Sequence, residues 1–172
     1  MKCVIHGSGG VGGYYGGCLA RAGHEVFFIA RGAHLDAIHQ QGLSIKSAKG
    51  DFRIETSKSG ERCDPNFDPD LVIVAVKSWQ LPEITEEIKN YCTPSTLILP
   101  LQNGADSSDI LADTLGPERV LGGLTKIFSK IEAPGVINHF TGATYIGFGE
   151  YFQDPQFQNA PDSLSERCRN LE

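Results

Sequence analysis

No run of basic residues occurs in this chain, and 15 Lys and Arg are outnumbered by 21 Asp and Glu, for a formal net charge of -6. That balance argues against a nucleic-acid partner, because nothing offsets the repulsion of a polyanion. No apolar segment approaches the length that spans a bilayer, so a membrane partner is not expected. The first apolar run is too short for a secretory leader, and glycines follow it at once. CxxC pairs are missing too. The five cysteines (Cys3, Cys18, Cys63, Cys92, Cys168) are scattered, which fits a reducing, cytoplasmic setting better than a disulfide framework. The five histidines (His6, His24, His34, His39, His139) lack metal-ligand spacing; His34 and His39 are five apart and share no helical face. They read as surface or turn residues. There is no internal repeat. What remains is 172 residues, 40% of them hydrophobic, enough for one domain with a proper core.

What the chain does have is glycine, and most informatively at its start. Lys2 to Gly17 reads KCVIHGSGGVGGYYGG. A short apolar run leads into Gly7-x-Gly9-x-x-Gly12 and then into a helix-compatible segment. Gly7 can make the tight turn without a Cβ penalty, Gly9 leaves room for a phosphate to approach the backbone, and Gly12 lets the helix pack close to the strand. The intervening Ser8, Gly10 and Val11 belong to the same loop. A helix N-terminus beyond such a turn offers unpaired N–H groups and partial positive charge to an anion. Gly16 adds another small residue on the face that must meet a sheet. Gly23 suits a helix C-cap, and Glu25 to Ile29 reads as a second strand. This completes βαβ in about 30 residues, the context in which the glycine pattern signals a dinucleotide pyrophosphate rather than a plain glycine-rich turn.

Further along, Ala33 to Gln41 reads as a helix ending near Gly42. Residues 43–54 alternate apolar and polar around Gly50, as in a hairpin or edge strands. Ser57 to Asp70 is loop-like, with Pro65 and Pro69. Leu71 to Val76 is a continuous apolar run, as expected of a strand buried on both faces. Leu81 to Tyr91 and Asp106 to Leu115 read as helices, with Thr96 to Leu99 as a strand between them. Strand segments begin at Arg119-Val120-Leu121, cover Val136-Ile137-Asn138 and run from Ala143 to Phe148. The tail from Tyr151 is polar until Ser163, where a helix can start. The pattern predicts an α/β, Rossmann-type, doubly wound and mostly parallel sheet, with additional antiparallel strands toward the C-terminal part. Ligands in such sheets sit outside the carboxyl ends of the strands. Three polar features fall there: the glycine loop, Arg31, and the pair Lys77 and Asn103.

The end of the second strand reads Ile29-Ala30-Arg31-Gly32 and lacks a carboxylate. An acid there would accept hydrogen bonds from the adenosine ribose 2′-OH of NAD(H) and repel a 2′-phosphate. A guanidinium can instead fork onto that phosphate. Arg31 lies 19 residues past Gly12, near the expected spacing. NADP(H) is therefore favoured over NAD(H), the alternative being that Arg31 is a solvated loop cation. His34 is either a residue bordering that phosphate or, the favoured reading, an exposed helix-start histidine. Lys77 is either a cation reaching into the crevice or a plain strand-end lysine. Asn103 is either a ligand contact or half of an ordinary Asn-Gly turn. Gln80 and Gln102 are weaker candidates, and Trp79 is read as packing.

These residues, in this order, resemble the ketopantoate reductases (2-dehydropantoate 2-reductases). The resemblance rests on the glycine motif, Arg31-Gly32-Ala33-His34-Leu35, Val76-Lys77-Ser78-Trp79-Gln80 and Leu101-Gln102-Asn103-Gly104. It extends through Gly42-Leu43, Gly50-Asp51-Phe52, Pro134-Gly135-Val136-Ile137 and Ile146-Gly147-Phe148-Gly149-Glu150, so most of residues 1–150 are covered. It implies NADPH-dependent reduction of a 2-oxo acid, ketopantoate, to pantoate on the route to pantothenate and coenzyme A. By that resemblance Gly7 through Gly12 hold the pyrophosphate, Arg31 the 2′-phosphate and Lys77 the cofactor edge. Asn103 matches a residue near nicotinamide and substrate.

The family also has a second, mostly helical domain carrying the lysine that protonates the forming alkoxide. No segment of residues 1–172 matches it. The expectation is a dinucleotide-binding domain that holds NADP(H) but turns over ketopantoate poorly alone, with no catalytic residue assigned in the chain. An apolar surface left where that second domain docks would favour homo-oligomers. A stand-alone NADP(H)-binding regulatory or redox-sensing module, or a related 2-oxo or 3-hydroxy acid dehydrogenase, are the other readings.

Overall fold

In β1 (Lys2–His6), Cys3 and Ile5 face one side of the sheet while Val4 faces the other, and all three are fully buried. Such a strand needs cover on both faces, and the computed structural model provides it. The structure describes residues 1–55, 58–104, 106–142 and 144–151. β1 pairs in parallel with β2 (Glu25–Ile29) on one side and β6 (Leu71–Val74) on the other. β5 (Ser59–Gly60) and β7 (Leu97–Pro100) extend the sheet outward, in the order β5-β2-β1-β6-β7, all parallel. One face is covered by α1 (Gly10–Arg21) and α2 (Gly32–Gln41), whose Tyr14, Leu35 and Ile38 join Cys3, Ile5 and Phe28 in one apolar cluster. The opposite face is covered by α3 (Leu81–Lys89) and α4 (Ser107–Leu115), which bring Leu81, Ile84, Ile88, Leu111 and Leu115 against Val4, Val72 and Ile98.

A second sheet has the order β4-β3-β10-β9, formed by β3 (Leu43–Ser47), β4 (Phe52–Ile54), β9 (Ser129–Ala133) and β10 (Val136–His139). β3 and β4 make the antiparallel pair expected from residues 43–54. β3 also pairs with β10, in parallel, joining residues some 90 positions apart in the chain. β8 (Leu121–Lys126) and β11 (Tyr145–Glu150) form a separate antiparallel ribbon. The extra strands are thus antiparallel in the main, with one parallel pairing. β9 is a strand that the pattern did not announce: Lys130, Ile131, Glu132 and Ala133 are all exposed, so no apolar alternation marks it. The Ala143 start expected for the last strand and the expected helix after Ser163 lie outside the described residues.

α1 has an unusual composition for a helix, with Gly10, Gly12, Gly13, Gly16 and Gly17 in twelve residues. Glycine costs about 1 kcal/mol per site relative to alanine in a helix interior. Packing explains the choice. A methyl group on Gly16 would sit 2.6 Å from Ile5 and 2.7 Å from Phe28 of the parallel sheet. One on Gly13 would sit 2.8 Å from Ile137, and one on Gly17 3.1 Å from Ile45, both of the second sheet. α1 is therefore wedged between two sheets, with glycine at its points of closest approach to both.

Candidate dinucleotide site

The sheet reverses its winding at β1, between β2 and β6, and the loops leaving β1 and β6 part to form a crevice there. The first of these loops turns at Gly7, whose φ of +102° favours glycine, and a methyl group there would strike the Val76 backbone at 2.9 Å. Gly9 is the N-cap of α1, no side chain caps that end, and the first turn carries no acid. Nothing lies within 4 Å of the position a Cβ of Gly9 would take. Gly12 is the opposite case, since a methyl group would run into the Gly7 carbonyl and lie 2.8 Å from Ile5.

Two cavities continue from this loop. One of about 290 Å³ is lined by Gly7, Ser8, Gly9, Arg31, His34 and Lys77, among others. The other, of about 330 Å³, is lined by Val11, Lys77, Trp79, Gln102 and Asn103, among others. Ala75, Val76 and Lys77 belong to both, so the two cavities share one wall. Among the described residues, no carboxylate lines either of them. In a chain of net charge -6, the charged side chains that line the cleft at the strand ends are, among the described residues, Arg31 and Lys77, beside an uncapped helix N-terminus. Anions are favoured there. The buried Ser8 hydroxyl has no hydrogen-bond partner among the described residues, and a phosphate oxygen would supply one. Room at Gly9, the free amides of α1, the Ser8 hydroxyl and Arg31 all fit a dinucleotide.

The expected site residues divide into two groups. Gly7, Ser8, Gly9 and Arg31 line the first cavity, Val11 and Asn103 the second, and Lys77 both. Gly10 and Gly12 line neither and serve packing, Gly10 against the Ser129 backbone of β9. Lys77 is held at the strand end by a short 3₁₀ turn, Ser78–Gln80: the Lys77 N–H donates to Gln80 Oε1 (3.1 Å), and the Gln80 N–H donates to the Lys77 carbonyl (2.9 Å). Asn103 is exposed and precedes Gly104, whose φ is +112°, so it does occupy an Asn-Gly turn. Gln102 fastens that loop to β6 by donating from Nε2 to the Val74 carbonyl at 3.0 Å.

Three expectations are corrected. Trp79 does not pack: it is 76% exposed, at the rim of the second cavity. The histidines are not uniformly on the surface, because His6 and His139 are buried. His6 closes the floor of the first cavity, hydrogen-bonds the Tyr91 hydroxyl at 2.9 Å, and is held neutral by burial and by the Arg31 charge, its pKa lowered to about 4. His34 is not an exposed helix-start residue either. It is half-buried, its Nε2 lies 2.9 Å from the Ser8 carbonyl, and its Nδ1 accepts from the Gly135 N–H at 3.0 Å. Neither partner is near it in sequence, so no local signal marks the ring.

A parallel sheet with a glycine turn at its point of reversal, flanked by helices on both faces, defines a Rossmann-type α/β domain. Comparison with known proteins narrows the class. The chain belongs to the ketopantoate reductase PanE/ApbA family, whose model matches residues 3–151. A 2-dehydropantoate 2-reductase of Pyrococcus abyssi is 34% identical over 148 residues, which make up 86% of this chain and 47% of that protein. The crystal structure of 2-dehydropantoate 2-reductase from Porphyromonas gingivalis is similar with a TM-score of 0.84 at 31% identity, covering 99% of this chain and 60% of the other. D-mandelate dehydrogenase in complex with NADH is similar with a TM-score of 0.76 at 25% identity, covering 97% of this chain and 53% of the other. The chain spans about half the length of the curated relatives it matches.

Proposed function

We propose that this chain is the NADP(H)-holding domain of a 2-dehydropantoate 2-reductase, an enzyme that reduces ketopantoate to pantoate on the route to pantothenate and coenzyme A. The observation that carries the reading is a carboxylate-free crevice at the sheet reversal, with Gly9 open to it and Arg31 at the end of β2. The amides of α1 and the Ser8 hydroxyl hold the diphosphate. Arg31 forks onto the adenosine 2′-phosphate, which NADH lacks. Lys77 sets a positive charge on the wall common to both cavities, and Asn103 offers an amide donor and acceptor where the nicotinamide end and the 2-oxo acid meet. When bound, NADPH supplies the hydride for the ketone carbon.

The same geometry supports an expectation of slow turnover by residues 1–172 alone. Reduction of a ketone needs a group that stabilises or protonates the developing oxyanion. Among the described residues, Lys77 is the one ionisable side chain lining the second cavity, and it is placed to hold charge at the cofactor edge. The expected result is therefore NADPH binding with slow or no ketopantoate turnover. Titration of NADPH against the emission of Trp79, the one tryptophan of the chain, tests the first part. Loss of NADPH absorbance with ketopantoate tests the second, and rapid turnover would refute it. The D-mandelate dehydrogenase likeness supports a second reading, a related 2-oxo acid dehydrogenase using NADH. Tighter binding of NADH than of NADPH would select it.

A further inference from the structure

We infer that His34 is a positioning residue for diphosphate binding, its ring holding the Ser8 carbonyl turned away from the space the phosphates occupy. The inference rests on the proposed dinucleotide reading and adds a residue that touches no ligand. The Gly135 N–H donates to Nδ1 at 3.0 Å, so Nδ1 presents its lone pair and the ring proton sits on Nε2. Nε2 then donates to the Ser8 carbonyl at 2.9 Å. The protonated ring would set an N–H against the Gly135 N–H, and burial lowers the pKa of His34, in keeping with a neutral ring. Both ring nitrogens are thus committed, which leaves His34 no donor for a phosphate although it borders the same cavity as Arg31.

The consequence for the loop follows from peptide geometry. The Ser8 N–H donates to the Ile29 carbonyl at 2.9 Å, and the Ser8 carbonyl accepts from His34. Ser8, the middle of the tight turn, therefore has both backbone groups tied. In a planar trans peptide, the Gly9 N–H is antiparallel to the Ser8 carbonyl, so a carbonyl drawn toward α2 sends that amide away from α2. A carbonyl oxygen swung toward the diphosphate would repel it. With the ring in place the carbonyl is satisfied elsewhere, and the loop does not have to be ordered when the ligand arrives. Because Gly135 lies in the turn between β9 and β10, the same ring ties the loop to the second sheet, whose Ile131 borders the first cavity.

The test measures NADPH and NADH dissociation constants by calorimetry for the wild-type chain and for His34→Leu, His34→Gln and Arg31→Ala, with thermal denaturation to verify folding. Leucine fills space but bridges nothing, and it is expected to weaken both coenzymes by the same factor, about tenfold. Arg31→Ala is expected to weaken NADPH alone. Glutamine carries an amide donor and an acceptor in one side chain, and it is expected to return both affinities to within about threefold of wild type. Wild-type affinity in His34→Leu, a loss confined to NADPH, or a folded His34→Gln as weak as His34→Leu would each overturn the inference. If His34→Leu fails to fold, His34→Gln decides alone: affinity near wild type supports the inference, and a tenfold loss overturns it. A wild-type chain that binds neither coenzyme removes the dinucleotide reading itself and this inference with it.

Discussion

The two cavities of the crevice are made of different materials. The first has a loop and two rings already tied down beneath exposed Arg31 and Lys77: Gly7 against Val76, Ser8 bonded at both backbone groups, His34 bonded at both ring nitrogens and His6 against Tyr91. The second has exposed side chains along its rim, Lys77, Ser78, Trp79 and Asn103, over a wall of buried Leu101 and half-buried Val11, Val76 and Ile127. A diphosphate is the same in every dinucleotide, so a rigid main-chain cradle suits it. On the proposed reading, the loop under the diphosphate is preorganised, and the rim of the second cavity is left adjustable.

The sharpest way to break that contrast is at Gly12. Gly12→Ala drives a methyl group into the Gly7 carbonyl and toward Ile5, neither of which can yield cheaply. It should cost roughly 3 kcal/mol or more, with a fall in melting temperature of roughly 10 °C and loss of NADPH binding. Gly9→Ala, three residues earlier, meets open space and should leave the melting temperature alone while weakening NADPH. Equal thermal effects from the two would erase the distinction between packing and cradle glycines.

Acid should act on the rigid half next. His6 titrates near 4 in the folded chain against an ordinary value of 6.5, so the unfolded chain binds the extra proton between those limits. Its contribution is complete above pH 6.5 and is lost as the pH falls toward 4, for a total of about 3 kcal/mol. His34 is shifted in the same direction. Urea denaturation at pH 7 and pH 4.5 reads the sum, and His6→Asn should flatten part of the slope. Arg31→Ala comes third: NADPH should bind about tenfold to a hundredfold more weakly with NADH little changed, as measured by calorimetry. Lys77→Ala is the smallest change, below about 1 kcal/mol and about threefold in NADPH affinity, because this lysine is exposed. A Lys77 effect exceeding that of Arg31 would move the main anion contact from the end of β2 to the wall that the two cavities share.

How much of this could be read in advance follows the same division. Periodicity located β1, α1, β2, α2, β6, α3 and α4 to within a few residues, because each buries a regular face against its neighbours. The glycine spacing announced the turn and the close helix. β9 escaped because four of its five residues are exposed, and the parallel β3–β10 pairing escaped because it joins segments that share no local signal. His34 was misread for that reason: its Gly135 partner is 101 residues away, as Tyr91 is 85 residues from His6. Trp79 was misread because apolarity suggests burial, whereas its place on a short turn at the crevice rim leaves it in solvent.

The wedged position of α1 bears on the order in which the chain matures during translation. The glycine motif is made well before its packing partners: Gly13 has no Ile137 to pack on, and His34 no Gly135 to hold it, until more than a hundred further residues have been made. A nascent polypeptide halted after β7 already carries all five glycines of the helix and every strand of the parallel sheet. It lacks the far jaw of the vice that grips them. The turn at Gly7 and the helix behind it therefore reach their final packing only once β9 and β10 have been made.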